Sequence, residues 1–164
     1  MITDTSLNKT KRKHKKDPLK NKLDKLLYKL RWSIREQIAE FKVNELAKYS
    51  DGFYRDALTG YRIKDFSKVQ VDHNADVGKS FRQLAYNFLS LHKINIAQLS
   101  MNKLGKLMRD FAEYHRDNCS LRIVSASRNR WLFYKHRNRD IKWQEFYKIV
   151  DNDALGMIHN CSNK

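Results

Sequence analysis

From Pro18 to Phe41 the apolar residues recur at three- and four-residue steps: Leu19, Leu23, Leu26, Leu27, Leu30, Ile34, Ile38 and Phe41. Side chains spaced in this way share one side of an α-helix, and the spacing does not suit a strand. Asp17-Pro18 supplies the start, an acidic N-cap followed by a proline in the first turn, where its missing N–H costs nothing. The pattern predicts one helix of about 25–30 residues, on the order of 40 Å long. Its stripe has to lie against something, and intrachain packing and a dimer seam fit equally well. The remaining faces carry Lys20, Lys22, Lys25, Lys29, Arg31 and Arg35. A charged helix face is ordinarily just solvated, but charge so nearly of one sign favours a role facing phosphates.

The same bias runs through the chain. Its 164 residues hold 34 Lys or Arg against 18 Asp or Glu, a formal net charge of +16. That length suits one domain burying about 70% of its unfolded surface, and 41% hydrophobic residues supply a core. The charge implies attraction to polyanions, either nucleic acid or anionic lipid. No apolar run approaches the roughly 18 residues of a membrane span. Met1 to Ser6 leads into lysines, so no secretory signal is expected. Cys119 and Cys161 are too few for a disulfide framework and lack zinc-type spacing, so a reducing compartment is expected.

Along the chain, residues 1–16 read as a flexible basic tail and 17–164 as a single domain. Within it, 17–50 is the basic helix, 51–140 a core with a helical insertion at about 78–116, and 141–164 a C-terminal helix and tail. Ser50-Asp51-Gly52 ends the first helix, and Thr59-Gly60 marks a hairpin or turn before a strand at Val69–Asp72. Ser80 and Ser100 are N-cap candidates for two helices bearing Phe81, Leu84, Ala85, Phe88, Leu89 and Leu104, Leu107, Met108, Phe111. Leu121-Arg122-Ile123-Val124 alternates like a half-buried strand. Ser125 then opens a basic helix at about Ala126–Asn138, followed by a short helix near Trp143–Val150. The expected class is α+β and mostly helical.

Asp72-His73 at a strand end is weak on its own, since a single His there is more often structural. The second cluster, Ser120 to Asn129, changes the weighing, because it is a strand running directly into a basic helix with an amide in the first turn. A carboxylate and an amide oxygen are hard ligands that Mg²⁺ accepts, and a neutral imidazole beside them can take a proton from water near pH 7. Val71-Asp72-His73, then Leu121-Arg122-Ile123-Val124-Ser125, then Asn129 resembles the HNH, or ββα-metal, nucleases, most closely the phage and intron-associated homing type. Asp56-Ala57-Leu58-Thr59-Gly60 is similar to the turn that often precedes the family's first strand. The resemblance implies a small ββα-metal core. In it Asp72 and Asn129 hold one Mg²⁺, for which Mn²⁺ can substitute, and His73 is the general base. The family's middle Asn falls at Ser120, with Asn118 as the alternative two residues earlier on a shared strand face.

DNA contacts are expected from Arg122, Arg128, Arg130, Lys135, His136 and Arg137, together with Lys20, Lys22, Lys25 and Lys29. His136 is otherwise a surface histidine, His92 and His115 read as helix-end residues capping carbonyls, and Trp131, Phe133 and Tyr134 read as packing residues. Three functions follow from these readings. The first is a site-specific, homing-type DNA endonuclease, cutting double-stranded DNA as a monomer or homodimer. The second is a non-catalytic DNA- or RNA-binding protein with a degenerate core. The third, a membrane-surface protein using the amphipathic helix, is the weakest. The expected setting is cytoplasmic, in a bacterial or phage-infected cell or an organelle, with no membrane partner.

Overall fold

A computed structural model describes residues 18–142 and 145–146, a mostly helical α+β fold with two small two-stranded sheets. The expected basic tail, Asp17 and most of the expected C-terminal helix lie outside the described residues. The single helix expected over 17–50 is in fact two, α1 (Pro18–Ser33) and α2 (Arg35–Ala47). Ile34 leaves helical geometry at φ −99°, ψ 4°. The cause is local: Ser33 Oγ donates to Leu30 O at 2.8 Å, and a serine bonding back to its own turn bends a helix.

Leu23, Leu26, Leu30 and Ile34 of the stripe are buried within the chain. They join Phe81, Ala85, Phe88 and Leu89 of α3 (Phe81–Leu91), and Leu107 and Phe111 of α4 (Met101–Asn118), in the larger of two cores. These four stripe residues therefore form an intrachain surface and are not left over for a dimer seam. Phe146 belongs to this core and meets Tyr86 edge-on. Ser80 caps α3 as expected, its Oγ accepting from Gln83 N at 3.1 Å. Ser100 and Ser125 hold the N-cap positions of their helices without a side-chain capping bond.

The strands position the site. β1 (Tyr54–Arg55) and β2 (Arg62–Ile63) form the short hairpin around Gly60, whose φ of +71° suits the turn. β3 (Val69–His73) pairs antiparallel with β4 (Leu121–Ser125), Asp72 lying opposite Arg122 and His73 opposite Leu121. α3 and α4 fill the connection, close to the expected insertion. β4 runs straight into α5 (Ala126–His136), which packs on both strands. Val69 and Ile123 face the smaller core, with Tyr54, Ile63, Phe41 and Leu46. Asp56 ties this side down: its buried carboxylate accepts from Leu58 N at 3.0 Å and Ser125 N at 2.9 Å.

On α5 only Leu132 is buried. Trp131, Phe133 and Tyr134, expected to pack inside, are all at least half exposed, because the short helix presents a single residue to the strands. Leu30→Ala should cost about 2–5 kcal/mol of stability by urea denaturation and leave the hydrodynamic size unchanged. Val43→Ala, at an exposed position, should stay within about 0.5 kcal/mol. A Leu30→Ala protein that loses mass by dissociation while keeping its stability would contradict this packing.

Candidate functional site

Alternation along a strand sends Gln70 and Asp72 to one face of the β3–β4 pair and Val71 and His73 to the other. On the first face Asp72 Oδ2 accepts from Arg122 Nε at 2.8 Å, and Arg122 Nη1 donates to Asp76 Oδ2 at 2.9 Å. Lys135 Nζ and His136 Nε2 each lie 3.2 Å from Asp76 Oδ1. Asn129 Nδ2 donates to Gln70 Oε1, which fastens the first turn of α5 to β3. Burial pushes the Asp72 carboxyl above its ordinary range despite the hydrogen bond and charge of Arg122. The hydrogen bond from Arg122 instead holds Asp76 below that range.

On the second face His73 Nε2 lies 2.9 Å from His115 Nε2, and His115 Nδ1 lies 2.8 Å from Gln37 Oε1. Phe81 stands edge-on to the His73 ring at 5.5 Å. Burial, then the His115 and Arg31 charges, pull His73 down to about 3, and burial pulls His115 down to about 4. Both rings are therefore neutral at physiological pH.

Both faces open at one end onto a cleft of about 820 Å³. Asp72, His73 and Asn129, brought together from two distant segments, line it alongside Gln70 and His136. Five arginines, Arg31, Arg35, Arg82, Arg130 and Arg137, line it against two aspartates, Asp72 and Asp140. The cleft is thus suited to an anion.

Other expected residues fall elsewhere. Asn118 is the exposed last residue of α4, and its Nδ2 donates to Tyr114 O. Being helical, it shares no strand face with Ser120 and cannot take the middle-Asn role by that route. Ser120 reaches the loop after His73 through its backbone, its carbonyl accepting from Asn74 N at 2.8 Å. Arg122, expected on DNA, is buried between Asp72 and Asp76, because the strand register sets it opposite a carboxylate. Lys20, Lys22, Lys25, Lys29, Arg128, Arg130, Lys135 and Arg137 are exposed, while His136 is half-buried beside Asp76. His92 and His115 do not cap carbonyls with their rings: His92 packs tilted against Phe88 at 4.5 Å, and His115 is fully buried. The sequence reading missed Gln37, Gln70, Asp76 and the burial of His115. Of these only His115 carried a signal, standing four residues after Phe111 on the apolar face of α4.

The donor set can be weighed against a hard divalent ion. Asp72 commits Oδ2 to Arg122, and Asn129 commits Nδ2 to Gln70. Asp72 Oδ1 and the Asn129 amide oxygen remain, two hard oxygens of the kind Mg²⁺ takes while keeping water or phosphate in its other positions. They fit such an ion as partial ligands. Among the described residues no group of three or more His, Cys, Asp or Glu could enclose one. No helix among these residues is long and apolar enough to cross a membrane. No family model, curated protein or solved structure matches the chain.

The neutral histidine pair has a consequence for stability. An unfolded histidine titrates near 6.5 and folded His115 near 4, so between those values the unfolded chain binds more protons. The His115 contribution is complete above about pH 6.5 and is lost as pH falls toward 4. His115→Gln should be less stable than wild type at pH 7, and its deficit in urea midpoint should shrink from pH 6.5 to 4. A pH-independent deficit would mean that His115 is not held neutral.

Proposed function

We propose that this chain is a metal-dependent DNA endonuclease of the HNH type, site-specific and of the homing kind. The observation that carries the reading is the convergence of Asp72, His73 and Asn129 on one arginine-lined cleft. The antiparallel β3–β4 pair followed at once by α5 is also the order of elements that an HNH core requires.

In this reading the arginines of the cleft bind the DNA backbone, and Arg130 and Arg137, exposed on and just after α5, meet the phosphates flanking the scissile bond. His73, neutral at pH 7, takes a proton from water, and the resulting hydroxide attacks phosphorus in line. The bond to the 3′ oxygen breaks, and that oxygen takes a proton from solvent. Asp72 and Asn129 would hold Mg²⁺, or Mn²⁺ in its place, which supplies Lewis-acid stabilisation of the charge developing on the phosphate. Arg122 keeps Asp72 oriented by occupying its other oxygen.

One observation favours a second reading, a DNA- or RNA-binding protein without catalysis: Asp72 and His73 both already have partners, Arg122 and His115. Cleavage decides between them. Selection of cut sites from a genomic library should give Mg²⁺-dependent products that EDTA abolishes. His73→Ala should abolish those products while keeping DNA affinity within a few-fold. Metal-independent products, or tight binding with no products, would overturn the nuclease reading. Affinity should fall about 10³–10⁵-fold between 50 and 200 mM salt if six to ten phosphates are contacted, and a salt-insensitive affinity would remove nucleic acid as the partner.

A further inference from the structure

Three elements meet at His73, and their hydrogen bonds have a fixed direction. Gln37, on α2, directs Nε2 at the backbone carbonyl of Ala112 at 2.7 Å. A carbonyl only accepts, so the amide end of Gln37 must face Ala112 and its oxygen must face His115. That oxygen lies 2.8 Å from His115 Nδ1. An amide oxygen also only accepts, so His115 Nδ1 carries a proton. His115 is fully buried, and its neutral ring then has its lone pair on Nε2. The partner at 2.9 Å is His73 Nε2, which is left to donate. The lone pair of His73 is on Nδ1.

We propose that Gln37 and His115 are positioning residues that fix His73 as its Nε2–H tautomer, leaving Nδ1 as the one atom able to accept a proton from water. The order is Ala112 carbonyl, Gln37 amide, His115 imidazole, His73 imidazole, and each link dictates the next. The anchor is a backbone carbonyl inside α4, which cannot rotate away without breaking the helix. When Nδ1 of His73 takes a proton the ring keeps its Nε2–H bond to His115, so no other hydrogen bond in the series has to reverse. Neither Gln37 nor His115 touches substrate in this scheme. The catalytic consequence rests on the endonuclease reading, whereas the tautomer assignment stands on hydrogen-bond direction alone.

The test reads the tautomers directly. In the full ¹⁵N-labelled chain at pH 7, two-bond ¹H–¹⁵N spectra should show His115 protonated on Nδ1 and His73 protonated on Nε2 with a bare Nδ1. Either ring in the opposite tautomer overturns the proposal. Gln37→Leu removes the acceptor and should give His73 a mixture of tautomers, with cleavage slower by about 10–100-fold at unchanged DNA affinity. A Gln37→Leu protein whose His73 stays wholly Nε2–H also overturns the proposal. If wild type shows the assigned tautomers and cuts no DNA with Mg²⁺, the endonuclease reading fails and the hydrogen-bond assignment stands.

Discussion

The pairing of β3 with β4 is the contact on which the rest depends. Residues 74–120 lie between the two strands, so the pairing is long-range and carries the loop-closure cost of α3 and α4. That cost is met by the large core, where α1, α3 and α4 bury their apolar faces together and bring the ends of the insertion close. Once the strands are in register, little is left to choose. Asp72 stands opposite Arg122, Gln70 meets the first turn of α5, and His73 points at α4. A slip of one residue would exchange the two faces, sending Asp72 toward His115 and His73 toward α5.

The register also settles the electrostatics. A carboxylate taken even partly out of water without a partner is costly, and buried Arg122 answers this for half-buried Asp72 while its other arm reaches exposed Asp76. The same arginine is lost to the exposed surface, so the cationic character of the cleft comes from Arg31, Arg35, Arg82, Arg130 and Arg137. On the other face the solution is neutral. Two imidazoles and an amide satisfy one another and end on a carbonyl of α4. A charged group there would face burial with no counter-ion among these partners.

Much of the fold was legible because its elements have strong local signals. Leu84, Phe88 and Phe111 fall on helical spacing, Val69–Asp72 and Leu121–Val124 read as strands that each end one residue short of β3 and β4, and Ser80 announces α3. What was not legible depends on pairing. The stripe passes through Ile34 without a gap, so nothing in its spacing betrays the bend that Ser33 makes. Counting charges treats Arg122 like Arg130, and only the register separates an internal ion pair from a surface cation. The aromatics of α5 read as core because of their size, yet the helix turns only Leu132 inward. Asp72, His73 and Asn129 were singled out from sequence and share a cleft. Asn118 was placed on a strand that begins three residues later.

In the proposed nuclease Asp72 and Asn129 together present oxygens to a divalent ion beside His73. The most direct test of this is electron paramagnetic resonance titration of Mn²⁺ into the full chain bound to a selected, phosphorothioate-blocked DNA site. One tightly bound Mn²⁺ per chain is expected, lost in Asp72→Ala and weakened in Asn129→Ala. A complex that binds no Mn²⁺, or one whose Mn²⁺ is unaffected by Asp72→Ala, would contradict it.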